Sequence, residues 1–164
     1  MPASSKNRRG LSPTFVWRML LVAIGMASVG CAAFRHKSPI PEAVATCRQY
    51  SREGVTAMET GHWSEAESLL RQALGASPTD ADTRRHLAET LWTRGEHEEA
   101  ITHMKSAAEL EPNNPEAAVR YGEMLLARGR YDDALEQARI ALQINQRLAS
   151  AWALRGRAHH SLGD

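Results

Sequence analysis

Four glycines set the frame of this chain. Gly61, Gly95, Gly129 and Gly163 are each separated by 34 residues. Ala66, Ala100 and Ala134 follow the first three at five residues, and Ala73, Ala107 and Ala141 come seven further on. Seven residues before each glycine stands another small residue: Gly54, Ala88, Gly122 and Gly156. A fixed period of this length marks one supersecondary unit used repeatedly, in which each unit buries its apolar face only against its neighbours. The aligned segments are 47–80, 81–114, 115–148 and a partial 149–164.

Within a segment the pattern reads helix, tight turn, helix. Leu87, Ala88, Leu91 and Trp92 recur at three and four residues, which is helical spacing. Gly95 ends that helix, as glycine does where the backbone turns left-handed. Ala100, Met104, Ala107 and Ala108 mark the apolar face of a second helix. Pro112 and the Asn113-Asn114 pair break it, and the next helix starts near Pro115. Two antiparallel helices on a short connection pack closely only where a small side chain sits at the crossing, so Gly122 is expected against Ala134. Ala, Leu, Glu, Arg and Gln dominate and Val and Ile are scarce, which is helix-forming material without a sheet.

These residues resemble the tetratricopeptide repeat. The first unit supplies Gly54, Ala57, Gly61, Trp63, Ala66, Ala73 and Pro78, and the second Leu87, Ala88, Gly95, Ala100, Ala107 and Pro112. The third supplies Tyr121, Gly122, Gly129, Tyr131, Ala134 and Ala141, with Gln146 in place of the proline; Trp152 and Gly156 continue the pattern. The resemblance implies an all-α fold: an α-solenoid of three full helix–turn–helix units plus one further helix, over residues 47–164. That last helix reads either as a cap, with Trp152 and Leu162 toward the stack and Arg155, Arg157, His159 and His160 outward, or as a truncated unit.

The first 31 residues read as an address. Residues 1–30 carry Lys6, Arg8, Arg9 and Arg18 and no acid. An apolar run from Met19 to Gly30 follows and leads directly into Cys31, as in a secretory signal. The Ala-Ser-Val-Gly-Cys ending resembles a bacterial lipoprotein signal, which implies cleavage before Cys31 and lipidation of Cys31. Ser28 stands where that family usually has a branched aliphatic residue. The same segment also fits an uncleaved single-span anchor, although the 16 uncharged residues from Met19 to Phe34 are fewer than the roughly 20 a span needs. A cleaved, soluble product is the third alternative. Each exports the remainder, so the expected location is the bacterial cell envelope. Residues 32–46 read as a tether, with Pro39 and Pro41 favouring an extended path.

Once the leader is set aside, 16 Lys and Arg face 19 Asp and Glu, so the folded part is not basic and nucleic acid is not an expected partner. The chain has two cysteines, Cys31 and Cys47, and no Cys-x-x-Cys pair, and the histidines lack the i, i+4 spacing of a metal site on one helix. Cys47 reads as a small buried hydrophobe; a disulfide to an unlipidated Cys31 is the other option. Nothing groups into a phosphate loop or a nucleophile with its base, so no enzyme, cofactor or metal is expected.

The resemblance also implies a concave groove lined by the first helix of each unit. Its expected lining is Arg48, Ser51, Arg52, Val55 and Glu59, then Arg85, His86, Glu89 and Trp92, then Val119, Arg120, Glu123 and Leu126, and finally Leu154 and Arg157. Arg52, Arg85, Arg120 and Arg157 recur as a ladder with Glu89 and Glu123 between them. Arg and Trp are strong binding residues and Arg grips carboxylates bidentately, so the expected partner is a protein or peptide client with acidic groups or a free C-terminus. The subgroup that clamps chaperone tails uses asparagines and lysines where this chain has Ser51, Val55 and His86, with Arg120 the one basic match; that departure argues against the same client. The expected function is a membrane-anchored adaptor. The alternative is a structural subunit of an envelope complex with no free ligand.

Overall fold

The structure, a computed structural model, describes residues 41–163. Seven helices occupy them: α1 (Glu42–Glu59), α2 (Trp63–Ala76), α3 (Ala81–Thr93), α4 (His97–Leu110), α5 (Pro115–Ala127), α6 (Tyr131–Ile144) and α7 (Ala149–Leu162). They form an all-α solenoid of stacked hairpins, α1–α2, α3–α4 and α5–α6, with α7 packed on the last. Residues 32–40 of the expected tether, and the whole signal segment with Cys31, lie outside the described residues. Residues 42–46 do not belong to a tether. They are the first turn of α1, because Pro41 sets an extended start (φ −48°, ψ 134°) and Glu42-Ala-Val-Ala-Thr continues as helix.

The turn glycine explains the period. Gly61, Gly95 and Gly129 have φ of 77°, 89° and 76°, in the left-handed region that only glycine enters without strain. Each sits in the same pair of backbone bonds: Glu96 N–H donates to Leu91 C=O at 2.9 Å and Gly95 N–H to Trp92 C=O at 3.1 Å. His62 to Ala57 with Gly61 to Met58, and Arg130 to Leu125 with Gly129 to Leu126, repeat it. The final carbonyls of the first helix are thus satisfied while the chain reverses.

Starts are fixed by side chains or by charge. Asp80 accepts from Thr83 N at 2.8 Å at the head of α3, and Asn114 accepts from Glu116 N and Ala117 N at the head of α5. The second helices α4 and α6 carry no such cap but open on Glu98-Glu99 and Asp132-Asp133, where acids favour the helix dipole.

The core runs along the hairpin crossings. Ala66, Ala100 and Ala134 are fully buried, as are Leu70, Leu87, Leu91, Met104 and Leu125. At Gly122 an added Cβ would lie 3.5 Å from the Ala134 carbonyl and 3.0 Å from Gln137 Cβ, so the expected crossing exists; it also receives Leu154 of α7. Cys47 is a free, buried thiol in this core, as expected of a small hydrophobe, and Cys31, the other half of the disulfide option, lies outside the described residues.

The last helix differs from its expected orientation. Trp152 is 52% exposed and Leu162 42%, so neither faces the stack. Ala151, Leu154 and Ala158, at three- and four-residue spacing, are buried instead. Leu154 and Val119 were expected in the groove and are core residues. Small residues at Ala151 and Ala158 let α7 approach α6 closely, which draws Leu154 under Gly122.

Candidate interaction groove

The first helices line two clefts rather than one continuous groove. The larger, of about 610 Å³, lies between α1 and α3, which touch. The smaller, of about 280 Å³, lies between α3 and α5, which stand apart with no Cα pair within 8 Å.

Arg52, Arg85 and His86 meet in the larger cleft, with Arg48, Ser51, Val55 and Thr83. Its floor is a polar link between helices: buried Thr83 Oγ1 donates to Ser51 Oγ at 3.1 Å and lies 3.9 Å from Cys47 Sγ. Two of its acids are already engaged. Asp80 caps α3, and Asp82 accepts from Arg85 Nη2 at 2.8 Å. Arg85 Nη1 also lies 3.9 Å from Glu89. Glu59 stands about 10 Å along α1 from Arg52, two helical turns away. Arg48 and Arg52 form no ion pair among the described residues.

His86 is half-buried in this cleft and its Nδ1 has no hydrogen-bond partner. Burial pushes its pKa below the ordinary 6.5, and the adjacent Arg85 charge acts in the same direction. The imidazole is therefore neutral near pH 7, a polar but uncharged wall opposite two unpaired guanidiniums.

Glu89, Trp92, Arg120 and Glu123 meet in the smaller cleft. Trp92 is half-buried and tilts against His97, with ring centroids 4.5 Å apart. Glu123 takes Arg120 at 3.6 Å and, across the repeat, Arg157 at 3.1 Å.

The expected arginine ladder is thus mostly closed on itself. Arg85, Arg120 and Arg157 each have an acid of this chain, and only Arg52 is open, joined by Arg48. Asp82 is the residue the sequence analysis missed; its i, i+3 spacing to Arg85 was the available signal. Other prominent ion pairs lie around the second helices: Arg71 of α2 bridges Glu67 and Glu99 at 2.8 Å each, and Arg94, just past the end of α3, reaches Glu67. The Arg71 hydrogen bond holds the Glu99 carboxyl below its ordinary range. Among the described residues no three His, Cys, Asp or Glu side chains group as a metal site, and no helix is long and apolar enough to cross a membrane.

Comparison with known proteins agrees with this architecture. The chain is similar in structure to the Arabidopsis OM64 TPR domain, at a TM-score of 0.66 and 18% identity over 72% of this chain and 98% of that one. It is similar to the first TPR of Spaghetti (RPAP3) bound to HSP90 peptide SRMEEVD, at 0.69 and 15% over 74% and 96%. The TPR2B-domain:pHsp70 complex of yeast Sti1 gives 0.64 and 22% over 71% and 98%. No curated protein sequence matches. Two family profiles, both described as tetratricopeptide repeat, match residues 51–115 and 91–158. Spanned from residue 51 to 158 by two profiles of one family, and built of its helical hairpin throughout, the chain belongs to the tetratricopeptide-repeat family.

Proposed function

We propose that this protein is a non-catalytic interaction scaffold that takes an extended polypeptide segment across α1 and α3, with a client carboxylate held by Arg48 and Arg52. One observation carries the reading: of the four ladder arginines, Arg85, Arg120 and Arg157 are neutralised internally, whereas Arg52 shares its cleft with Arg48 and neither forms an ion pair among the described residues. An exposed ion pair contributes little, but a bidentate Arg–carboxylate contact in a cleft gives both affinity and orientation. Val55 and the neutral His86 supply uncharged surface beside it. Two of the similar structures are complexes, one with an HSP90 peptide and one with pHsp70, which supports a peptide client without identifying this one. The departures at Ser51, Val55 and His86 favour a different tail.

In the same proposal the scaffold is displayed at a membrane, by lipid on Cys31 or by the apolar run before it. The cationic start and the Met19–Gly30 run support this part of the reading.

The test is an array of C-terminal peptides, free and amidated, probed with the full-length chain in mild detergent. Bound peptides are expected to lose affinity on amidation, and Arg52→Ala to weaken them about tenfold, the equivalent of roughly 1.4 kcal/mol. Arg157→Ala, whose partner is Glu123, is expected to change little. Binding indifferent to both amidation and Arg52→Ala would contradict the proposal.

A further inference from the structure

His86 is the one histidine in the lining of the cleft between α1 and α3. Its ring is half-buried, and its two nitrogens differ. Nδ1 is buried without a hydrogen-bond partner. Nε2 also has no partner but is not buried, so it is the polar edge that this side chain offers to the cleft. An open imidazole edge thus shares one cleft with the two open guanidiniums of Arg48 and Arg52.

The surroundings keep that ring neutral while the cleft is empty. Burial is the largest influence and disfavours the charged form. On its own helix and cap, Arg85 opposes a second proton, while Glu89, Asp82 and Asp80 favour one more weakly. Asp82 is committed to Arg85 and Asp80 to the start of α3. From α1 the cleft receives Arg48 and Arg52, with Glu59 further along the helix and the Cys47 thiol against Thr83 at the floor. Helices α2, α4 and α5 contribute no residue to the lining. A charged ring would also carry a donor at Nδ1, where no acceptor stands.

A carboxylate between Arg48 and Arg52 reverses this balance. It brings a negative charge to the ring, which favours the protonated imidazole. It also offers acceptor positions beyond those the guanidiniums use.

We propose that carboxylate binding in this cleft is proton-coupled: as a client carboxylate settles between Arg48 and Arg52, His86 takes one proton from bulk solvent and donates an Nε2–H hydrogen bond to it. The inference rests on the reading of this cleft as a carboxylate site and adds His86 as its third recognition residue. The complex holds more protons than its separated parts, so affinity rises as pH falls through the range in which the free ring is neutral. A terminal carboxylate, with an ordinary pKa of about 3.5, keeps its charge throughout. Mild acid therefore weakens the fold and strengthens the complex.

The test takes the free-acid peptide that binds best in the C-terminal array, and its amidated twin. Both are titrated into the full-length chain in mild detergent at about pH 7.5 and about pH 5.5, with circular dichroism at each pH to check the helices. The free acid is expected to bind about fivefold more tightly at the lower pH, and the amide to show no gain. His86→Gln keeps an uncharged donor; it is expected to match the native chain near neutral pH and to lose the gain. The native chain gives a second readout that needs no variant. Its His86 ring proton resonances should titrate at a higher pH with the free-acid peptide than without it, and the amide should leave them unmoved. Affinity that is flat with pH, a gain retained by His86→Gln, or a ring that titrates unchanged would overturn the proton coupling. If amidation and Arg52→Ala still weakened binding in that case, the carboxylate site would stand without it. Binding indifferent to amidation and to Arg52→Ala would overturn both.

Discussion

Leu154 of α7 reaches the backbone of α5 at Gly122, so closely that a Cβ there would stand 2.5 Å from Leu154 Cδ2. The same atom would lie 3.0 Å from Gln137 Cβ of α6. Three helices meet at one missing side chain. Gly156, at the identical register one repeat on, meets nothing.

The two glycines should therefore respond in opposite directions. Gly122→Ala gains helix propensity but forces Leu154 and α6 apart, for a net loss of about 1 kcal/mol, and Gly122→Leu loses about 3 kcal/mol. Gly156→Ala, in an open helix interior, should stabilise by about 0.5–1 kcal/mol. Urea unfolding of the three variants checks the sign of each.

Thr83 is fully buried and ties α3 to α1 through Ser51, with Cys47 alongside. Thr83→Val keeps the shape and removes the donor, leaving the Ser51 hydroxyl without its inter-helix partner. The expected loss is about 1 kcal/mol in chemical denaturation. An unchanged midpoint would mean the link is incidental to how the two helices hold together.

Stability should fall on mild acidification. Burial lowers the pKa of both His86 and His103, against the smaller opposing pull of Glu89 and Glu99 respectively. Each Nδ1 also lacks a hydrogen-bond partner. Folded-state values below the ordinary 6.5 mean that the unfolded chain takes up protons first. The histidine contribution is complete above that value and is lost as pH falls below it through the folded pKa. Thermal melts should show Tm dropping between about pH 7 and pH 5, and His86→Asn with His103→Asn should flatten that slope.

The hairpins were legible in the sequence because their determinants are local and repeat at a fixed offset. Gly95 and Ala100 mark a turn and a crossing wherever they recur. The start of α1 was less legible, since Pro39 and Pro41 signal extended chain and nothing in Glu42–Thr46 repeats elsewhere. The orientation of α7 was misread because its aromatic and aliphatic residues, Trp152 and Leu162, are its exposed ones, and its contacts are made through Ala151, Leu154 and Ala158. In the groove, residue positions followed from the repeat, but the pairing of charges did not. Whether Arg85 is open or occupied depends on which rotamer meets Asp82, and Arg157 is occupied only because Glu123 lies one repeat away in space.

Cys31 gives the anchor its own test. Intact-mass spectrometry of the chain expressed in a bacterial host should find a product beginning at an acylated Cys31, and Cys31→Ser should lose it. An uncut, unacylated chain in both samples would leave the apolar run as a helical anchor.

The most direct test of the scaffold is to see where a client lands. An array-selected peptide, titrated into isotope-labelled protein and followed by backbone amide shifts, should perturb Arg48 to Thr56 on α1 and Thr83 to His86 on α3, and Arg52→Ala should erase those changes. Shifts confined to the second helices α2, α4 and α6, with the α1–α3 cleft silent, would contradict the account.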